Sequence, residues 1–134
     1  MKRFFSSTPF SADLAALLLR LIVGGTLCFY HGIDKINHYK LYLSYSTNII
    51  GIGTQLSYNL IIFAELVCAF FVCIGLLTRL FVLPILINFS VAVFIAHRAD
   101  TFQVKELAFL FLVLTLPILV LGSGRYSVDR LLKK

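Results

Sequence analysis

Two charged side chains interrupt runs of apolar residues, Arg20 within LLLRLIVGG and Glu65 within IIFAELVCAF. A charge at the centre of a membrane helix costs roughly 2.5 to 3.5 kcal/mol on insertion scales, and such residues usually face neighbouring helices or a cavity. A hydrogen-bonded pair of Arg20 and Glu65 would offset much of that cost, so we expect the two side chains to meet inside the protein. Two alternatives stay open. Arg20 could extend its long stem to the lipid headgroups, and an unpaired Glu65 would suit a proton relay in a functional cavity.

The spacing around Arg20 places further residues on its face of the helix. Arg20, Gly24, Cys28, His31 and Lys35 follow one another at intervals of four, four, three and four residues, which is the repeat of one helical face. Small residues on a membrane helix mark close packing, and polar ones seek partners within the bundle. We therefore predict that this stripe faces the other helices. The corresponding face around Glu65 comprises Glu65, Cys68, Ala69 and Val72.

A second group of polar residues lies where the apolar segments end. It comprises His31, Asp34, Lys35, His97, Lys105 and Glu106. Two histidines on different helices could ligate haem or a metal, but imidazoles at helix ends also lie simply in the polar interface. We predict no metal site. A quinone head group is another candidate ligand, because it needs a few polar partners beside an apolar channel.

The candidate site residues are Arg20, Glu65, His31, Lys35, His97 and Glu106, which form either a ligand-binding site or a purely structural polar core. Glu106 has a second interpretation, as a favourable charge at the positive end of its helix dipole. Asn88 lies with Pro84, Ala92 and Ala96 at four-residue steps, and we interpret that face as structural. No residue is assigned a catalytic role, because P-loop, zinc-protease, nucleophile-elbow and dinucleotide-binding motifs are all lacking from the sequence.

The composition indicates that membrane-spanning helices position these residues. The chain has 134 residues, of which 60% are hydrophobic and 13% charged, against about 25% charged in soluble domains. Roughly 20 apolar residues are needed per helical crossing, so we predict one domain over 1–134, an all-α membrane protein with a four-transmembrane-helix bundle. The predicted helices span about 13–33, 57–77, 80–97 and 105–121. Between the first two, a tyrosine-rich loop is expected on the membrane surface, with room for a short interfacial helix.

Basic residues at the helix ends predict the orientation. The side with both termini holds seven of them: Lys2, Arg3, Arg79, Arg125, Arg130, Lys133 and Lys134. The opposite side holds four, Lys35, Lys40, Arg98 and Lys105. The positive-inside rule then places both termini in the cytoplasm. Because these charges flank apolar segments and do not interleave with aromatics on a soluble face, the expected partner is the lipid bilayer and nucleic acid is excluded.

Four stretches together resemble the DoxX family of small bacterial and archaeal membrane proteins. LLLRLIVGGTLCFYHGIDKI is similar to the family's first helix with its H-G-x-x-K end, and FAELVCAFFVCIGLLTR to the second with its membrane glutamate and G-L-x-T-R. VAVFIAHRADTFQVKELAFLFL matches the histidine and the K-E-L start of the last helix, and GSGRYSVDRLL resembles the G-x-G-x-Y-S-x-D close. The resemblance covers nearly the whole chain.

The resemblance implies a four-helix bundle linked to respiratory or thiol redox chemistry. The name-giving member is similar to a small subunit of an archaeal quinone-linked oxidoreductase that oxidises thiosulfate. Relatives that support disulfide formation use paired cysteines, whereas Cys28, Cys68 and Cys73 form no C-x-x-C motif here. We therefore favour a redox-associated, quinone- or thiol-linked inner-membrane subunit without an intrinsic cofactor, with oxidoreductase subunits or further copies of the chain as possible partners. The alternatives are an assembly subunit without its own chemistry and a small-solute or proton transporter.

Overall fold

Six helices form in the part of the chain that the structure, a computed structural model, describes, namely residues 4, 6, 7 and 10–134. Four of them are long and apolar enough to cross a membrane, which confirms the predicted four-helix membrane architecture. These are α1 (Ala12–Asn37), α3 (Thr54–Ile74), α4 (Thr78–Ala96) and α5 (Phe102–Leu121). Two short helices complete the set, α2 (Tyr39–Tyr45) and α6 (Val128–Leu132).

The helix ends follow from local sequence. Ser11 caps α1, because its side chain accepts a hydrogen bond from the Leu14 N–H at 3.2 Å. α1 continues four residues beyond the predicted end at 33, through Asn37. α3 ends at Ile74, three residues earlier than predicted, because Gly75 adopts a left-handed φ of 78° that stops the helix. The predicted short helix between the first two spans is α2.

Both α1 and α3 contain π-helical turns, which widen the helix by one residue per turn. They cover Arg20–Gly24 and Thr26–Gly32 in α1 and Phe63–Cys68 in α3. Such turns are often found at functional sites. The first two contain Arg20 and His31, and the third contains Glu65, so most of the candidate polar residues of α1 and α3 lie on non-standard turns.

Glycines allow α1 and α3 to pack backbone against backbone. A Cβ at Gly24 would lie 2.8 Å from the Ala69 carbonyl oxygen, and one at Gly32 would lie 2.9 Å from the Glu65 carbonyl oxygen. Gly24 belongs to the predicted stripe, and Arg20 and Cys28 of the same stripe are buried, so the stripe faces the bundle. A buried apolar core that all four long helices share lies between the level of Arg20 and the level of Glu65. Its residues are Val23, Leu27, Cys28, Cys68, Ala69, Val72, Val82, Ile85, Phe89, Phe111 and Ile118.

The chain after α5 folds back onto the end of the bundle where α1 begins. Gly122 and Gly124 have positive φ, which turns the chain toward α6. The Asp129 N–H then donates to the Gly75 carbonyl at 3.1 Å, which joins α6 to the end of α3. We call this the terminal end of the bundle and the opposite one, with α2, the loop end. Lys2 and Arg3, used above to predict orientation, lie outside the described residues.

Candidate functional site

Glu65 lies at the centre of a hydrogen-bonded cluster supplied by three helices. Its side chain is buried in α3, Lys35 of α1 donates from Nζ to Oε2 at 2.5 Å, and Asn88 of α4 donates from Nδ2 to Oε1 at 3.1 Å. The Lys35 side chain is 23% exposed, so Lys35 is more accessible than its buried partner Glu65. A buried carboxylate with an ammonium and an amide on its two oxygens is well satisfied.

The predicted pairing of Arg20 with Glu65 is wrong, because the two residues lie at different levels along the helix bundle. Gly32 packs directly against the backbone of Glu65 and Leu66, which sets the level of Glu65 along α1. Lys35 follows Gly32 by less than one turn and reaches the carboxylate. Arg20 precedes Gly32 by twelve residues, which is roughly 18 Å at 1.5 Å per residue and beyond the reach of one side chain.

Arg20 binds backbone carbonyls at the terminal end of the bundle. Its side chain is 1% exposed, Nη1 donates to the Cys73 carbonyl at 3.2 Å, and Nη2 donates to the Tyr126 carbonyl at 2.6 Å. The guanidinium turns inward, as predicted, and does not extend to the headgroups. It thereby joins the end of α3 to the chain that follows α5.

A cavity of about 530 Å³ lies between α3 and α4 beside the Glu65 cluster. Its apolar walls include Leu60, Ile61, Phe63, Pro84, Ile87 and Val91. Polar side chains at the cavity are Lys35, Ser57, Glu65, Asn88 and His97. Ile87 is 63% exposed and Leu60 47% exposed although both line the cavity, so it opens toward the outer, membrane-facing surface of the bundle. An apolar space with a few convergent polar groups is the usual form of a small-molecule site.

His97 lies at the loop end of this cavity, one residue after α4. Its Nδ1 is 2.7 Å from Asp100 Oδ2, and its carbonyl accepts a hydrogen bond from Lys105 Nζ at 3.4 Å. The cavity thus joins three of the predicted site residues, Lys35, Glu65 and His97.

The other predicted site residues lie elsewhere. Arg20 is at the terminal end, while the half-buried ring of His31 packs edge-to-face on Phe111 with centroids 5.6 Å apart. Glu106 is exposed near the start of α5. Within the described residues, no group of three or more His, Cys, Asp or Glu side chains could hold a metal ion.

The loop end is held together by tyrosine hydroxyls around the last turns of α1. Tyr58 donates to the Lys35 carbonyl at 3.2 Å, and Tyr42 donates to Asp34 Oδ2 at 2.9 Å. The hydrogen bond to Asp34 raises the pKa of the Tyr42 phenol above its ordinary value, since ionisation would place two negative charges side by side. These contacts fix the helix turn from which Lys35 extends to Glu65.

Comparison with known proteins decides the family. The DoxX family model matches residues 15–98, which is more than half of the chain. The protein is a member of the DoxX family. No curated protein and no solved structure matches the chain.

The matched residues of this DoxX protein contain the whole Glu65 cluster and His97. In the H-G-x-x-K stretch, Gly32 provides the close contact with α3, and Lys35 provides the partner of Glu65. In G-L-x-T-R, Gly75 leaves room for the Arg20 guanidinium, and Arg79 donates to the Val120 carbonyl at 3.2 Å. The first stretch therefore contributes to the cavity, and the second fixes the terminal end.

Sequence reasoning missed two residues of this DoxX site. Asn88 was interpreted as part of a packing face, yet it donates to Glu65, and only a polar amide within the apolar sequence of α4 signalled it. Ser57 lines the cavity with its side chain buried, and its Oγ has no hydrogen-bond partner within the described part of the chain. Nothing about a serine near the start of a helix distinguishes it from an ordinary helix-end residue, so the sequence offered no signal for Ser57.

Proposed function

We propose that this DoxX protein binds a quinone in the cavity between α3 and α4 and serves as a redox-associated subunit of a membrane oxidoreductase. The observation that supports this most is the buried Glu65 carboxylate, bound by Lys35 and Asn88, at the wall of a mostly apolar cavity. A quinone combines a polar head with a long apolar tail, and this cavity offers one region suited to each. A partner subunit would supply or take the electrons.

The residues present fit a quinone head group. Lys35 uses one of its three N–H donors on Glu65, and Asn88 uses one of its two. The remaining donors suit a carbonyl oxygen. A volume of about 530 Å³ lies within the range of about 300 to 1,000 Å³ typical of ligand sites. The tail would follow the apolar walls toward the opening beside Leu60 and Ile87.

The experiment measures quinone that copurifies with the protein in mild detergent. Glu65→Gln should lower the quinone content by about tenfold or more, since Glu65 orients both donors and loss of a charged hydrogen-bond partner costs about 1.5 to 3 kcal/mol. Glu106→Gln is the matched control, because it changes the chain's other glutamate, which is exposed and outside the cavity. Its quinone content should equal that of the wild type.

The same experiment separates a second candidate, an assembly subunit in which the cluster only holds helices together. That function is favoured by the full pairing of Glu65 across three helices. It predicts that the wild-type protein contains no quinone and binds none on addition, while Glu65→Gln lowers thermal stability. Wild-type quinone content in Glu65→Gln would contradict the proposed binding site.

We also propose that the protein lies in the bacterial cytoplasmic membrane with its terminal end in the cytoplasm. Among the described residues, Arg79, Arg125, Arg130, Lys133 and Lys134 lie at that end, and Lys35, Lys40, Arg98 and Lys105 at the loop end. The excess has the sign expected from the positive-inside rule.

A further inference from the structure

We propose that His97 accepts a hydrogen bond from a hydroxyl group of the reduced carrier, so that the cavity prefers a hydroquinone to a quinone, and that Asp100 positions His97 for this contact. The inference rests on the proposed quinone-binding function. It specifies the reduced form of the carrier as the preferred ligand and names Asp100, which lies outside the cavity, as a positioning residue.

The geometry of the His97 ring carries the first step. Nδ1 lies 2.7 Å from Asp100 Oδ2, and a histidine nitrogen that faces a carboxylate holds its proton there. In the neutral imidazole the other nitrogen, Nε2, is then an acceptor. Nε2 has no hydrogen-bond partner among the residues that the structure describes. His97 is one of the residues that line the cavity, and its side chain is 39% exposed, so Nε2 is accessible to a donor on a ligand.

The neighbouring charged groups do not compete for Nε2. Lys105 donates to the backbone carbonyl of His97, and Lys35 of the same cavity is paired with Glu65. Arg98 is exposed beside His97. The spare donors of Lys35 and Asn88 suit a carbonyl oxygen, whereas His97 suits a hydroxyl hydrogen. A ligand with a hydroxyl that reaches the loop end of the cavity satisfies His97, and a quinone with carbonyls alone does not.

The chain contains its own control for this pair. His38 and Asp34 form a second histidine–aspartate contact at the loop end, with Nδ1 3.0 Å from Oδ1. His38 does not line the cavity. A change to His38 therefore removes the same kind of contact away from the proposed site and keeps Asp34 for its hydrogen bond with Tyr42.

The test compares dissociation constants of a short-chain ubiquinone and its hydroquinone for purified protein in detergent, under anaerobic conditions at pH 8. Asp100→Asn lets an amide donate to Nδ1 and so places the proton on Nε2, as in the exchange of an aspartate that orients a catalytic histidine. Because Nε2–H can then donate to a quinone carbonyl and no longer accepts from a hydroxyl, the ratio of the two dissociation constants should shift about three- to tenfold in favour of the quinone. His38→Leu, which removes the second histidine–aspartate contact and keeps Asp34 for its hydrogen bond with Tyr42, should change neither constant.

Two further variants keep the result interpretable if Asp100 also affects folding. His97→Gln can place an amide oxygen near the position of Nε2 and should retain part of the preference for hydroquinone, while His97→Leu should abolish it. Equal effects of Asp100→Asn on both ligands, or a preference that survives in His97→Leu, would overturn the role of His97 alone. A wild-type protein that binds neither form would overturn the proposed function and this inference with it.

Discussion

Arg20 shows how a charge can be buried in a membrane protein through hydrogen bonds to backbone carbonyls. Its guanidinium binds two backbone carbonyls, one at the end of α3 and one in the segment after α5. The Cys73 carbonyl belongs to the last turn of α3, where carbonyls lack partners within the helix. The Tyr126 carbonyl belongs to the non-helical segment between α5 and α6. An arginine with five donors in a fixed plane suits two such acceptors better than a lysine would.

A glycine is needed at position 75 for two reasons, its positive φ and the space that the Arg20 guanidinium occupies. A pair of variants separates the two. Gly75 and Gly51 both have φ of 78°, but a Cβ at Gly75 would overlap Arg20 Nη1, whereas a Cβ at Gly51 would meet nothing within 4 Å. Gly51→Ala should cost about 1 to 2 kcal/mol from backbone strain. Gly75→Ala should cost about 1 to 3 kcal/mol more, because the guanidinium must move.

The measurement for these two variants is the free energy of unfolding in detergent micelles. Equal losses in both variants would mean that the space at Gly75 is not needed for Arg20, and would contradict the role given to that arginine.

At the scale of the elements, α1 and α3 form the unit that positions the site. Glycines set their separation, and the resulting level of α1 against α3 places Lys35 beside Glu65 and Arg20 beside the end of α3. α4 then adds Asn88 and His97 and closes the cavity from the other side. A shift of α1 by one turn would separate Lys35 from Glu65, so the site depends on close helix packing.

Neighbouring glycines in α1 test that packing. A Cβ at Gly24 would lie 2.8 Å from the Ala69 carbonyl oxygen and 2.9 Å from the Cys73 nitrogen, whereas Gly25 has open space around it. Gly24→Ala should destabilise the protein by about 1 to 3 kcal/mol through overpacking. Gly25→Ala should be neutral or stabilise by up to about 1 kcal/mol, since alanine favours helix. Thermal unfolding of the two purified variants gives the comparison, and a larger loss in Gly25→Ala would refute the packing described here.

Hydropathy predicted the elements of this fold within about four residues, because the spans are long, continuous and apolar. Spacing also predicted which face of α1 turns inward. The partner of Arg20 could not be predicted, because a backbone carbonyl has no residue type that marks it in the sequence. The partner of Glu65 depended on the level of α1 against α3, which Gly32 fixes through its contact with the α3 backbone. The π-helical turns in both helices also change which residues share a face, so a count at 3.6 residues per turn does not give the correct neighbours.

At the scale of the whole molecule, two polar centres lie on either side of one apolar core. The centre at the terminal end contains Arg20 and fixes the segment after α5, and the centre toward the loop end contains Glu65 and borders the cavity. The core between them includes Val23, Leu27 and Val72. We therefore expect stability to depend on both centres and ligand binding to depend on the second alone.

The proposed orientation is tested with reporter fusions in a bacterial host. A fluorescent protein fused after Lys134 should fold and fluoresce, because the positive-inside rule places the terminal end in the cytoplasm. Alkaline phosphatase inserted after Gly51, in the loop between α2 and α3, should be active, because that loop then lies outside the cytoplasm. The reverse pattern of activity would place the termini outside.

The most direct test of the central claim, that Glu65 is the partner of Lys35 and is independent of Arg20, is a pair of double-mutant cycles that share Glu65→Gln. Free energies of unfolding in detergent are measured for Glu65→Gln combined with Lys35→Met and, separately, with Arg20→Met. We predict a coupling of about 1 to 3 kcal/mol for the first pair and less than about 0.5 kcal/mol for the second. A larger coupling of Glu65 to Arg20 than to Lys35 would contradict the account.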